Sequence, residues 1–86
     1  MDKHIIYGVH ITDRMSKVPN VQQLFSEYGC NIKTRIGLHD VSEDYCAPSG
    51  VILLEMFGDE KVCEELRNKL SAIEGIEVQQ MVFGHD

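Results

Sequence analysis

Apolar residues recur along this chain at two alternating periods. Between His4 and Thr12, the residues Ile5, Tyr7, Val9 and Ile11 alternate with His4, Ile6, Gly8 and His10, the period of two that marks a strand. Val18, Val21, Leu24, Phe25 and Tyr28 then follow at helical spacing. Ser16 is placed to cap that helix, Pro19 falls in its first turn, and Gly29 stops it through a left-handed cap. Cys30 to Leu38 alternates again, with Ile32, Thr34, Ile36 and Leu38 on one face and Lys33, Arg35 and Gly37 on the other. A polar connection runs from His39 to Gly50, and loops of that length are often functional. Val51 to Phe57 is the third and most apolar strand. Asp59 can cap a second helix over Glu60 to Glu74, whose buried stripe is Val62, Leu66, Leu70 and Ile73. Gly75 ends it, and Ile76 to Phe83 is the fourth strand.

This order predicts an α+β, ferredoxin-like βαββαβ sandwich in a single domain spanning residues 1–86. Right-handed crossovers give a four-stranded antiparallel sheet in the order 4-1-3-2, with both helices on one face. Ile5, Tyr7, Val9, Ile11, Ile32, Ile36, Ile52, Leu54 and Met56 are expected to meet the helices. The other face carries Ile6, Gly8, His10, Arg35, Leu53, Glu55, Phe57, Met81 and Phe83. Its middle is too apolar for plain solvent surface, and a two-fold homo-oligomer is the simplest cover. Arg35 and Glu55 are expected opposite one another, fixing register more than adding stability.

At 86 residues the core is thin, which also favours pairing with a second copy. The formal net charge of −6, with Lys and Arg scattered, argues against nucleic acid as a partner. No stretch is long or apolar enough for a membrane span, and Met1 to His4 lacks a signal peptide's basic flank, so a cytoplasmic location is expected. Cys30, Cys46 and Cys63 form no Cys-x-x-Cys pair, which fits reduced thiols. Cys30 and Cys63 read as small core residues, and His4 and His85 as solvated ones near the termini.

The topology gathers His10, Asp13, Arg14, His39, Asp40 and Cys46 at one end of the sheet. The Asp13–Lys17 turn leads into free helix N–H groups, a natural place for a carboxylate or phosphate, with Arg14, Ser16 or Lys17 helping. The plain alternative is a solvated turn. In the long loop, His39 and Cys46 are metal-ligand types, but two ligands need a third from His10 or a second copy. The plain alternative there is a polar loop. A Cys–His catalytic pair from His10, His39 and Cys46 lacks any feature that would activate the thiol, and no nucleophile elbow, phosphate loop or HExxH is present.

The stretch from Asp13-Arg14 through Leu24-Phe25, Gly29, Asn31 and Ile32 resembles the opening of ACT domains. There an Asp-Arg-Pro-Gly turn leads into a helix, then Gly and an Asn-Ile strand; here Met15 and Ser16 replace the Pro-Gly. Arg35-Ile36-Gly37, and Asn68 through Val78 closing the second helix, look like the small proteins labelled iron-only hydrogenase system regulators. That family is similar to ACT domains and to the C-terminal domain of nickel-responsive repressors. The resemblance implies a ferredoxin-like dimer or tetramer with regulatory ligand binding and no catalysis. The repressors' closely spaced histidines on the third strand have no counterpart, since Val51 to Phe57 contains no His. The leading expectation is a stand-alone regulatory module that binds a small ligand at an oligomer edge through His10, Asp13, Arg14, Ser16, Lys17 and His39, and modulates a partner protein. A metal sensor or metal-handling protein using His39 and Cys46 is the second reading, and a small dimeric α+β enzyme the third. The sequence names no cofactor.

Overall fold

The computed structural model describes residues 3–12, 14–39 and 50–84, with backbone alone for 14–18, 38 and 39. The elements are β1 (Lys3–Ile11), α1 (Arg14–Glu27), a 3-10 turn (Gly29–Asn31), β2 (Ile32–His39), β3 (Gly50–Met56), α2 (Glu60–Ser71) and β4 (Ile76–Gly84). The sheet order is β2-β3-β1-β4 with every pair antiparallel, which is the expected ferredoxin-like arrangement. One sheet face is closed by the helices. Tyr7, Val9, Leu54 and Met56 pack there against Val21 and Phe25 of α1 and against Cys63, Leu66 and Leu70 of α2. Alternation makes this possible, because every second residue of β1 points to the helices. Each fully buried large side chain contributes roughly 1.5–3 kcal/mol. Asp59 caps α2, its carboxylate accepting from the Lys61 N–H at 2.8 Å.

Several local expectations are corrected. α1 starts at Arg14, so Ser16 lies inside the helix and cannot be its N-cap, which needs extended backbone. Pro19 consequently sits beyond the first turn and denies the Met15 carbonyl its usual i+4 donor. Gly29 is not left-handed; only Gly58 and Gly75, at φ 95° and 87°, are so among the described residues. The Tyr28 N–H still donates to the Leu24 carbonyl at 2.9 Å, and the chain leaves through the 3-10 turn. That turn carries Cys30 outward, so Cys30 is exposed, while Cys63 is fully buried as expected. α2 ends at Ser71, and Gly75 turns the chain into β4.

The largest correction concerns β2. A bulge between Ile32 and Thr34 shifts its register against β3, so Ile32 pairs with Met56, whereas Thr34 pairs with Glu55 and Ile36 with Leu53. The extra residue, Lys33, reverses which side chains face the helices. Ile36 therefore stands on the open face, 50 % exposed, instead of in the core. Arg35 crosses from the open face to the helix side. Its Nη2 donates to Gln22 Oε1 at 3.1 Å and its guanidinium lies 4.9 Å from the centre of the Phe25 ring. It is thus neither opposite Glu55 nor part of the open face.

Candidate functional site

The register brings several of the expected site positions to one rim. His10 pairs with Val51 on one side and Glu77 on the other. In the next row His39 pairs with Gly50, which in turn pairs with Ile11. The ends of β1 and β2 therefore lie at the same rim as the head of α1, where Arg14, Ser16 and Lys17 are found. Asp13, Asp40 and Cys46 fall outside the described residues. Thr12 fastens this rim: its N–H and its Oγ1 both donate to the Gly75 carbonyl, at 2.9 and 2.8 Å. His10 is half-buried on the open face and walls a cavity of about 290 Å³ together with Gly8, Val51, Glu77 and Gln79. Gln79 Nε2 donates to Glu77 Oε2 at 2.9 Å within that wall.

The opposite end of the open face holds a polar network that the alternation pattern does not reveal. Glu55 Oε1 accepts from Thr34 Oγ1 at 2.8 Å, and Glu55 Oε2 lies 2.8 Å from His4 Nε2. The two hydrogen bonds, Thr34 first, hold the Glu55 carboxyl below its ordinary range. His4 is therefore engaged and half-buried, contrary to its expected solvation, and its ring tilts toward Phe83 at 6.2 Å. A shallow cavity of about 530 Å³ is lined here by Lys3, His4, Lys33, Glu55, Met56, Phe57 and Gly58. Lys3 is already tied to Glu60 at 3.0 Å. His85 is outside the described residues.

Two titratable groups in the core are shifted chiefly by burial. Burial pushes the Tyr7 hydroxyl up to about 12, and it also raises the Cys63 thiol, an inert arrangement for a nucleophile. Among the described residues no three His, Cys, Asp or Glu side chains group as metal ligands. No described helix is long and apolar enough to cross a membrane.

No protein-family model and no curated protein matches the chain. Solved structures do. An uncharacterised protein, TM1266 from Thermotoga maritima, is 25% identical with a TM-score of 0.78, over 93% of this chain and 96% of that one. The ACT domain of a GTP pyrophosphokinase from Chlorobium tepidum is 17% identical with a TM-score of 0.64, over 94% and 89%. A dimeric ferredoxin-like protein from an uncultured marine organism is 7% identical with a TM-score of 0.52, over 93% and 92%. The chain thus shares the ferredoxin-like fold found in these structures, an ACT domain among them.

Proposed function

We propose that this chain is a stand-alone, non-catalytic regulatory domain. It holds a small anionic or amino-acid-like ligand at the rim where β1 ends and α1 begins, at the edge of a homo-oligomer formed through the open sheet face. It then passes occupancy to a partner protein. The observation that carries this reading is the convergence of the His10 row, the head of α1 and the end of β2 at one rim of an ACT-like sheet. The N–H groups at a helix head lack intrahelical partners and favour negative charge. Arg14 and Lys17, two of the chain's eight Lys and Arg residues, stand in the first turn of α1. The apolar residues left on the open face, Ile36, Phe57, Met81 and Phe83, are each about half exposed, which supports association through that face. The resemblance to hydrogenase system regulators makes redox metabolism the first place to seek the partner.

The test is a thermal-shift panel of free amino acids, carboxylates and inorganic phosphate. A ligand at a hundred times its Kd stabilises the folded state by about 2.7 kcal/mol. That corresponds to a Tm rise of roughly 10 °C or more for a domain of this size. Arg14→Ala and His10→Ala are expected to reduce the shift. No shift from any compound at millimolar concentration would dismiss the ligand reading.

A further inference from the structure

Gly8 sits mid-way along β1, a central strand, where glycine weakens the sheet. Its backbone is not left-handed. A Cβ built there would meet only ordinary contacts, 3.8 Å from Leu53 Cδ2 and 3.9 Å from the Gln79 carbonyl oxygen. Neither backbone conformation nor crowding within the chain calls for glycine. What glycine provides is a hollow on the open face, the cavity of about 290 Å³ walled by His10, Val51, Glu77 and Gln79. On the other side of the sheet's midline the relief is reversed. Ile36, half exposed, stands beside Leu53 and forms a ridge. Ridge and hollow occupy one row, since Ile36 pairs with Leu53, Leu53 with Gly8, and Gly8 with Gln79.

We infer that a second copy of this chain packs on the open face about a two-fold axis along the line between β1 and β3, seating the Ile36–Leu53 ridge of each copy in the Gly8–Gln79 hollow of the other. This rests on the sheet-face association proposed above and adds its register. Such an axis exchanges β1 with β3 and β2 with β4 between the facing sheets. Leu53 then lies over Gly8 of the second copy, and Ile36 over Gln79 of the second copy. Every contact occurs twice, as an isologous interface requires. Sheets packed face to face keep their strands within about 30° of one another, so the central row stays superposed.

Several polar groups of the face enter this packing with partners of their own. Glu55 enters the interface with both carboxylate oxygens already engaged, by Thr34 and His4. Glu77 and Gln79 bond to one another on the edge strand, where an interface is wettest. The area also suffices. Four strands about 4.8 Å apart and four rows about 7 Å apart give a footprint of roughly 500 Å². Side-chain relief brings the accessible area toward the ~800 Å² per partner of a standard interface.

Light scattering after size exclusion, over a concentration series, tests the arrangement. The wild-type protein is expected to be dimeric or a multiple of dimers. Gly8→Val fills the hollow and should weaken the dimer at least tenfold, with circular dichroism unchanged. Gln79→Trp fills the same hollow from an exposed edge-strand position and should do likewise, which keeps the test decisive if Gly8→Val does not fold. Ile36→Glu tests the face itself. A dimer broken by Ile36→Glu but kept at full strength by the hollow-filling variants overturns the register and leaves sheet-face association standing. A dimer untouched by all three, or a wild-type monomer throughout, overturns both.

Discussion

His4 Nε2 and Glu55 Oε2 lie 2.8 Å apart across the open face, joining the start of β1 to the end of β3. Thr34 donates to the other carboxylate oxygen, so three strands or strand ends meet at one side chain. The carboxyl is held below its usual 4.5, chiefly by Thr34 and then by His4.

A depressed carboxyl pKa stabilises the fold above the unfolded-state value and loses that contribution as pH falls through the folded-state value. Wild type is therefore expected to melt above Glu55→Gln at pH 6–7, and the gap to close as pH falls below the unfolded-state value and through the lowered folded-state one. Melting curves of both proteins across that range are the check. A gap that is constant with pH would show that the carboxylate charge plays no part.

Gly58 makes the turn from β3 to α2 at φ 95°, and a Cβ there would come within 2.7 Å of Asn31 Nδ2. That amide donates to the Phe57 carbonyl at 3.0 Å and cannot simply withdraw. Gly58→Ala is expected to cost about 1–3 kcal/mol. Gly37→Ala, with nothing within 4 Å of its new Cβ, should be neutral or slightly stabilising. Chemical denaturation of the two variants side by side decides it, and equal effects would contradict the strained-turn account.

Metal content addresses the loop reading. His39 ends β2 and Cys46 follows outside the described residues, with no cluster of three ligand side chains in the described part. Protein purified without a tag is expected to carry the same metal content as the His39→Ala and Cys46→Ser variants. Loss of one equivalent on either substitution, measured by elemental analysis, would instead establish a metal site in the loop.

Much of the architecture was legible because two periodicities are clean. The alternation of Ile5, Tyr7, Val9 and Ile11 and the spacing of Leu66 and Leu70 locate a central strand and a packing helix directly, and all six side chains are buried. β2 was not legible. Ile32, Thr34, Ile36 and Leu38 alternate without a break, yet Ile32 pairs with helix-facing Met56, whereas Thr34 and Ile36 pair with open-face residues. The bulge puts its extra residue, Lys33, into β2 itself, so the facing parity switches there although the apolar spacing of Ile32, Thr34, Ile36 and Leu38 runs on unbroken. The Glu55 network was missed for the same reason, because a register continued without the bulge from Ile32 and Met56 sets Lys33 opposite that carboxylate and hides Thr34. At the rim, the positions of His10 and His39 followed from topology alone. The hollow over Gly8 could be seen only with its neighbours in place.

Lys33 works as a phase shifter for the whole edge strand. Were Lys33 instead taken into the ladder opposite Glu55, with no bulge, Ile36 would turn beneath α1 and Arg35 would swing out among the apolar side chains of the bare sheet. A guanidinium would then stand on the ridge, and Phe25 would lose its covering cation. One bulge thus separates a surface that invites company from one that repels it.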